Sequence, residues 1–394
     1  MRKALSIFLI FVIALSVYPI RIYASGVEDE GDKIQDADLE SIDINAKAAI
    51  LMDATTGAVL YTKNAAEALP PASVTKIMTL LLVAEAIADG RITVEQKVRV
   101  SSNAASKGGS QIFIKEGEEF TVNELLKSTV IASANDAAVA LAELVSGSES
   151  AFVGLMNERA RELGMKNTCF ENATGLDDST THHLTSAYDI ALMSRELLKY
   201  DTITKYSNIW QDSIRNGEFV LTNTNRLVRY YDGCTGLKTG STDKAGFCIS
   251  ATAERDGMHL IAVIMGAETR DERNNAARML LDFGFANYAL YKDTAKQLES
   301  IPVLYGKSDN VLLSSTGFSK LVSKSEKGRI EAYYDIPDQL TAPIKKGDAV
   351  GKITYKIEDK VIGECDICVD EDVPKITFAE LYCRLLKTIF TGAR

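Results

Sequence analysis

The chain of 394 residues is longer than most single domains, and its length predicts two folded parts. Hydrophobic residues make up 46% of the sequence and charged residues 25%, as in an ordinary globular protein. The formal net charge of -10 argues against a nucleic-acid partner, because no basic surface is available to follow a phosphate backbone.

The N-terminus reads as an export signal. Arg2 and Lys3 precede an apolar run over residues 4–20, and Ala24-Ser25 supplies the small residues of a cleavage site. We therefore predict a signal peptide over residues 1–24, the alternative being an uncleaved anchor. Residues 25–44 are acidic and predict a flexible linker, so the mature protein is expected to work outside the cytoplasm.

Ser73-x-x-Lys76 is the first stretch with chemical character. It follows two prolines and opens an apolar run over residues 77–87, which predicts a buried helix ending at Gly90. Residues three apart on a helix share a face, and a lysine at the edge of a desolvated core can act as a base toward a neighbouring hydroxyl. The alternative is that Ser73 only caps the helix and Lys76 is a surface lysine.

The middle of the chain is predicted to be mostly helical. A hairpin over residues 48–63 comes before the Ser73 helix, and a capping box from Thr121 to Glu124 starts a helix over residues 122–131. Ser133 and Asn135 follow in a polar turn, where they could equally be plain helix caps. A helix rich in Ala and Leu is expected after this turn, to about residue 145, and further helices are expected over residues 151–163 and 187–200, with a long loop at residues 166–184 between them.

Strands return near residue 233. Lys238-Thr239-Gly240 precedes two alternating apolar runs, 247–254 and 258–265, joined by Asp-Gly, which is a strong hairpin signal. A helix over residues 271–288 follows. Strands at both ends of a helical segment predict an α/β (α+β) fold, with one antiparallel sheet sandwiched between helices. Lys238-Thr239-Gly240 could also be an ordinary turn.

The last hundred residues differ from the preceding part in their pattern of apolar and turn-forming residues. Residues 291–372 contain short apolar runs between Gly, Asp, Pro and Lys, which predicts a small all-β domain. Residues 373–394 then form an amphipathic helix, with apolar residues spaced along one face and Lys and Arg beside them. We predict that this helix anchors the protein at a membrane surface, the alternative being that it docks on its own protein.

Neither a metal nor another cofactor is predicted. Cys365-x-x-Cys368 has the spacing of half a zinc knuckle or of a redox pair, but no second cysteine pair or histidine cluster accompanies it. We interpret Cys365 and Cys368 as structural or free thiols, and the sequence leaves open whether any of the six cysteines pair. His182 and His183 are expected to be solvated loop residues, and Asp189 a residue that fixes a helix start or a loop.

Three short motifs occur in a fixed order: Ser73-x-x-Lys76, Ser133-x-Asn135 and Lys238-Thr239-Gly240. With them the chain resembles the serine D-alanyl-D-alanine carboxypeptidases, the low-molecular-mass penicillin-binding proteins that share a fold with class A β-lactamases. The stretches around residues 69–72, 108–110, 172–176 and 185–189 add to the resemblance, which covers about residues 45–290.

The resemblance implies a role for each motif residue. Ser73 would attack the carbonyl of the penultimate D-alanine of a peptidoglycan stem peptide, and Lys76 would take its proton. Ser133 would relay that proton to the leaving nitrogen. Asn135 would orient Lys76 and hold a substrate amide. β-Lactam antibiotics would act as inhibitors.

The third motif is expected to hold the substrate. Lys238 and Thr239 would bind the terminal carboxylate, and Gly240 would let the substrate lie along the strand edge without a side chain in the way. The backbone N–H groups of Ser73 and Ser241 would form the oxyanion hole.

Other functions are left open by the sequence. A class A β-lactamase uses a loop glutamate followed four residues later by asparagine; Glu171 is a candidate, but Gly175 occupies the fourth position after it. Transpeptidation, endopeptidation and a catalytically silent wall-binding role are further alternatives.

Overall fold

The computed structural model describes residues 42–177 and 180–391 of the chain. The predicted signal peptide, and the predicted linker as far as residue 41, lie outside the described residues. The final three residues of the predicted C-terminal helix also lie outside them.

Residues 48–287 contain nine strands and nine helices within the described part of the chain. The strands are β1 (Ala48–Asp53), β2 (Val59–Lys63), β3 (Lys97–Arg99), β4 (Glu119–Thr121), β5 (Gln211–Ile214), β6 (Phe219–Thr222), β7 (Cys234–Thr242), β8 (Gly246–Arg255) and β9 (Met258–Ala267). The helices are α1 (Lys76–Ala88), α2 (Ser102–Ala105), α3 (Val122–Ile131), α4 (Asn135–Ser146), α5 (Glu149–Glu162), α6 (Ala187–Leu197), α7 (Asp201–Ser207), α8 (Leu227–Tyr230) and α9 (Arg270–Asn287).

Five strands form an antiparallel sheet in the order β2-β1-β9-β8-β7. Side chains alternate across β1: Ile50 packs into a core with α1 and the helices around it, whereas Leu51 packs into a second core with Leu280 and Leu281 of α9. The sheet therefore lies between two helical layers. This confirms the predicted α/β (α+β) sandwich.

Helix α1 is buried along most of its length, as its apolar sequence predicts. Only Glu85 and two neighbours near its end keep some exposure, and the Glu85 carboxylate accepts a hydrogen bond from Arg159 at 2.9 Å. The helix starts later than expected, because Ala72–Thr75 forms a 3-10 turn. Ser73 lies inside that turn and does not cap α1.

Several other local predictions are confirmed. Thr121 and Glu124 form the expected capping box, with the Thr121 side chain accepting from the Glu124 N–H and the Glu124 carboxylate accepting from Thr121. The hairpins β1–β2 and β8–β9 have the predicted turns. Two small pairs, β3–β4 and β5–β6, were not predicted.

The C-terminal part is all-β and ends in a helix, as predicted. Its elements are β10 (Tyr288–Asp293), β11 (Gln297–Leu304), β12 (Asn310–Ser315), β13 (Phe318–Ser323), α10 (Lys324–Lys327), β14 (Ile330–Asp335), β15 (Leu340–Thr341), β16 (Ala349–Ile357), β17 (Lys360–Val369) and α11 (Phe378–Thr391). Six strands pair in the order β14-β16-β17-β12-β11-β15, and β10 pairs with β13. Tyr355 is fully buried at the centre and stacks on Phe318 with ring centroids 4.3 Å apart.

Helix α11 contacts the all-β domain through its charged side. The Nζ of Lys307 lies 2.7 Å from the carboxylate of Glu380, and Arg384 lies 2.5 Å from the carboxylate of Asp309. Glu380 and Arg384 are four residues apart, so they share one face of the helix. The opposite face is apolar and exposed; its residues are Phe378, Leu381, Tyr382, Leu385, Ile389 and Phe390.

All six cysteines are free thiols, which agrees with the interpretation of Cys365 and Cys368. Cys365 is buried, whereas Cys368 points to the other face of β17, because residues three apart on a strand alternate sides. Within residues 42–177 and 180–391 no cluster of side chains suits a metal ion. In the same residues no single helix has the length and apolar composition to cross a membrane, although the sharply bent pair α4 and α5 passes that test together.

Candidate active site

Ser73 and Lys76 lie at the junction of the 3-10 turn and α1. The Nζ of Lys76 donates hydrogen bonds of 2.9 Å to the Ser73 Oγ and to the Thr174 carbonyl oxygen. Lys76 is completely buried, whereas the sequence predicted a position at the edge of the core. Burial, and then the charge of Lys238, lower the pKa of Lys76 well below its usual range, while Asp136 opposes the shift.

Ser133 and Lys238 form a second hydrogen-bonded pair. The Lys238 Nζ donates to the Ser133 Oγ and to the Thr239 carbonyl oxygen, each at 2.9 Å. Burial, and then the charge of Arg273, lower the pKa of Lys238 to about 7. Ser133 sits in the turn before α4 with a φ of 61°, a left-handed conformation that is uncommon outside glycine.

Asn135 forms a hydrogen bond to a loop. Its Nδ2 donates to the Gly108 carbonyl oxygen at 2.7 Å, and among the described groups no hydrogen bond joins it to Lys76, whose second acceptor is the Thr174 carbonyl oxygen. The Oδ1 of Asn135 is buried and has no hydrogen-bond partner among the described groups. An acceptor of this kind is costly to leave unpaired, which makes it a candidate contact for a substrate N–H.

Gly240 brings strand β7 against the 3-10 turn of Ala72–Thr75. A Cβ at this position would lie 2.8 Å from the Ser73 nitrogen and 2.9 Å from the Pro71 carbonyl oxygen. The missing side chain therefore makes room for the turn of Ser73, whereas the sequence suggested room for the substrate. Beside Gly240, the Thr239 hydroxyl donates to the Thr224 hydroxyl at 2.7 Å, and Ser241 is exposed.

A cavity of about 450 Å³ opens over these residues. Its lining includes Ser73, Ser133, Thr239, Gly240 and Ser241 from the predicted set. The lining residues that the sequence analysis missed are Ser110, Trp210, Thr222, Asn223, Thr224, Arg226, Arg270 and Arg273. The described lining contains no acidic residue, so the cavity favours an anionic ligand.

One sequence signal could have pointed to two of these arginines. Arg270 and Arg273 lie in the first turn of α9, where the helix dipole disfavours cations. Arg273 is buried, and burial together with the neighbouring Arg270 lowers its pKa to about 10. The helix dipole and burial both disfavour a cation at Arg273, which suggests that this arginine serves a function other than helix stability.

Described residues of the long loop pack behind Ser73. His183 is buried, so the prediction that it is solvated is wrong, whereas His182 is exposed as expected. The carboxylate of Glu171 accepts from the N–H groups of Thr181 and His182 and lies outside the cavity lining. Asp189 accepts from the Asn167 N–H and the Thr168 hydroxyl and thus fixes the loop, as predicted.

Comparisons with known proteins identify the family of the chain. A family model described as D-alanyl-D-alanine carboxypeptidase matches residues 33–269, and one for the C-terminal domain of penicillin-binding protein 5 matches residues 285–375. The D-alanyl-D-alanine carboxypeptidase DacF of Bacillus subtilis is 42% identical over 386 residues, 96% of each chain.

Two solved structures are also similar. Penicillin-binding protein 5 from Haemophilus influenzae superposes with a TM-score of 0.72 at 30% identity, over 85% of this chain and 99% of that one. Penicillin-binding protein D2 from Listeria monocytogenes, in its ampicillin-bound form, gives a TM-score of 0.57 at 30% identity, over 62% of this chain and 98% of that one. The chain belongs to the D-alanyl-D-alanine carboxypeptidase family.

Proposed function

We propose that Ser73 is the nucleophile with which this carboxypeptidase removes the terminal D-alanine from peptidoglycan stem peptides ending in D-Ala-D-Ala. The observation that carries the proposal is the 2.9 Å hydrogen bond between the Lys76 Nζ and the Ser73 Oγ beside the cavity. The lowered pKa of Lys76 favours the neutral amine, whose lone pair can take the serine proton. Removing that D-alanine would limit crosslinking of the cell wall.

The reaction runs in two steps. The Ser73 Oγ attacks the carbonyl carbon of the penultimate D-alanine while Lys76 takes its proton; an ester to Ser73 forms and the bond to the terminal D-alanine breaks. Because the Ser133 Oγ accepts from Lys238, its own proton is free to pass to the leaving nitrogen, and the proton that Lys76 took from Ser73 then replaces it. Water then hydrolyses the ester and releases Ser73.

Backbone and amide groups would hold the reacting carbonyl. The N–H groups of Ser73 and Ser241 are the proposed oxyanion donors, and the packing of Gly240 directly on the Ser73 nitrogen supports this assignment, because it keeps β7 close to the turn. The unpaired Oδ1 of Asn135 is the proposed acceptor for a substrate N–H.

The positive lining would select a free C-terminus. Lys238 and Thr239 remain the proposed carboxylate contacts, and Arg226, Arg270 and Arg273 add three cations to the same cavity. Since Lys238 is already bonded to Ser133, the arginines supply charge that Lys238 alone does not.

Timed mass spectrometry with a pentapeptide ending in D-Ala-D-Ala tests the whole proposal. We expect an acyl adduct on Ser73, loss of one alanine, and slower cleavage of the same peptide with an amidated C-terminus. Ser73→Ala should abolish both adduct and product, whereas Ser308→Ala in the all-β domain should not. Equal cleavage of the free and amidated peptides would refute the carboxylate contacts, and a crosslinked product would indicate transpeptidation.

Penicillins are proposed as acylating inhibitors of Ser73, because the similar Listeria protein is described in an ampicillin-bound form. A fluorescent penicillin should label Ser73 and leave slowly. Rapid release would instead indicate a β-lactamase; against that alternative, the Glu171 carboxylate is engaged within its own loop.

We further propose that the protein works at the outer face of the cell membrane and is held there by α11. The two ion pairs attach the charged side of the helix to the all-β domain, and so they turn its apolar side outward. A helix that docked on its own protein would bury that apolar side instead.

A further inference from the structure

In the loop after α5, residues 173–175 and His183 contact the 3-10 turn of Ala72–Thr75 and the start of α1. The Thr174 carbonyl accepts from Lys76, and the Ala173 carbonyl accepts from Thr79 at 2.7 Å. A Cβ on Gly175 would lie 1.8 Å from the Ala72 carbonyl oxygen, so the loop backbone lies directly against the residue before Ser73.

The protons in the contact between His183 and Thr75 can be assigned from geometry alone. Its Nδ1 lies 3.0 Å from the backbone nitrogen of Glu171, which can only donate, so Nδ1 carries no hydrogen. Its Nε2 lies 2.8 Å from the Thr75 Oγ1. The Thr75 hydroxyl has one hydrogen and donates it to the Ala72 carbonyl oxygen at 2.8 Å. It must therefore accept from Nε2–H of a neutral imidazole.

These bonds form a directed chain from His183 through Thr75 to the Ala72 carbonyl. That carbonyl and the Ser73 N–H belong to one planar peptide group, so fixing the oxygen also fixes the direction of the N–H. Ala72 has a φ of 48°, a left-handed conformation that a non-glycine residue adopts only when its surroundings hold it there.

We propose that His183 is a positioning residue which, through Thr75, holds the Ser73 N–H in the direction needed to stabilise the oxyanion. This inference rests on the proposed function, because it takes Ser73 as the nucleophile and its N–H as an oxyanion donor. The burial of His183, which lowers its pKa to about 4, keeps the imidazole neutral and suits the donor assigned to Nε2.

Thr75→Val and Thr75→Ser test the chain with little change of shape. Thr75→Val removes the hydroxyl, and we expect the acylation rate constant for a fluorescent penicillin to fall roughly 10- to 100-fold, since donors in an oxyanion hole must be accurately aimed. The dissociation constant of the initial complex should change little. Thr75→Ser keeps the hydroxyl and should stay near the wild-type rate.

His183→Phe should lower the same rate constant, and His183→Phe combined with Thr75→Val should be no slower than Thr75→Val alone, because both act through one chain. His182→Phe is the matched control, since His182 is exposed and adjacent. If His183→Phe does not fold, as judged by thermal melting, the Thr75 pair carries the test.

A boronic acid gives a readout specific to the oxyanion, because it forms an anionic tetrahedral adduct on a serine. Its inhibition constant should rise in Thr75→Val in proportion to the loss of acylation rate. A wild-type rate in Thr75→Val, or equal losses in Thr75→Val and Thr75→Ser, would overturn the inference. Absence of any adduct on Ser73 in the wild-type protein would instead overturn the proposed function.

Discussion

Two lysines in one small site each hold a different serine. Lys76 bonds to Ser73 and Lys238 bonds to Ser133, and both ammonium groups are removed from water. Burial is the main cause that lowers the pKa of each lysine, and the charge of Lys238 lowers the pKa of Lys76 further. Burial therefore favours the neutral amine of Lys76, the proposed base, and burying both lysines costs folding stability.

Replacing Lys238 with methionine should reveal that cost. The folded pKa of Lys238 is about 7, and that of an unfolded lysine is about 10.4. Between these values the unfolded chain holds the extra proton, so the wild-type protein becomes more stable as pH rises. We expect Lys238→Met to acylate measurably but more slowly, yet to be more stable by roughly 0.5–2 kcal/mol at pH 6, with the gain shrinking toward pH 10.

Thermal melting at several pH values measures this effect. Lys97→Met is the control, because Lys97 is exposed and its removal should leave the pH dependence unchanged. A Lys238→Met protein that is less stable than the wild type at pH 6 would contradict the prediction.

The acid limb of the acylation rate should move in opposite directions in two variants. Lys238→Met removes a charge that lowers the pKa of Lys76, so the base becomes protonated at higher pH and the limb shifts upward. Asp136→Asn removes a charge that raises this pKa, so the limb shifts downward. Acylation rates of a fluorescent penicillin across pH measure both shifts. Shifts in the same direction would show that Lys76 is not the titrating base.

At the residue scale, sequence motifs located the site but not all of its contacts. The Ser73–Lys76 bond follows from a three-residue spacing on a helical turn, which is local geometry. The partner of Asn135 and the burial of His183 depend on loops folding back from distant positions, and no local pattern reports such contacts. Arg273 was missed because an arginine in an amphipathic helix normally lies at the surface.

At the element scale, the site depends on how closely β7 approaches the 3-10 turn of Ala72–Thr75. Gly240→Ala would place a methyl group within 3 Å of three backbone atoms of the Pro71–Val74 stretch. Backbone atoms cannot swing aside, so the turn or the strand must move. We expect a loss of about 1–3 kcal/mol in stability and at least a tenfold slower acylation.

Gly154→Ala is the matched control for this substitution. Gly154 lies inside α5, and an added Cβ there meets nothing within 4 Å. Since alanine favours a helix over glycine, this variant should gain up to about 1 kcal/mol and keep its activity. Melting curves and acylation rates of both variants test this prediction. A Gly240→Ala protein with wild-type stability and acylation rate would show that the close approach of β7 to the turn is dispensable.

Elements with a strong local signal were predicted closely. The capping box set the start of α3 to the residue, because its two hydrogen bonds form within four residues. The start of α1 was missed, since the 3-10 turn before it is imposed by contacts with β7 and Gly175. Strands β10 and β13 pair only with each other across thirty residues, and short runs of that kind lack a local signature.

At the scale of the whole molecule, the exposed side of α11 is a large apolar surface that the described part of the protein leaves uncovered. Leu385→Glu together with Ile389→Glu should abolish binding to anionic phospholipid vesicles, because charges would replace the centre of the apolar face. Cleavage of a short soluble peptide should be unchanged. Vesicle sedimentation and alanine release measure the two properties.

Glu380→Gln is the control, since it changes the charged side of the helix and leaves the apolar side intact. Vesicle binding that survives both apolar substitutions would refute the membrane role of α11. A parallel loss of peptide cleavage would show that the helix supports the fold.

The ion pairs of α11 with Lys307 and Asp309 are exposed, and their attraction weakens as salt is added, whereas the apolar face depends little on it. On a membrane, we therefore expect higher ionic strength to loosen the all-β domain from α11 while α11 itself stays bound to the membrane. Trp210 is the only tryptophan and lies at the cavity, so its fluorescence anisotropy on vesicles reports this freedom. At low salt the ion pairs would keep the active site at a fixed distance from the membrane. At high salt the site would move relative to α11 and reach a thicker layer of cell wall. Constant anisotropy across salt concentrations would exclude such a hinge.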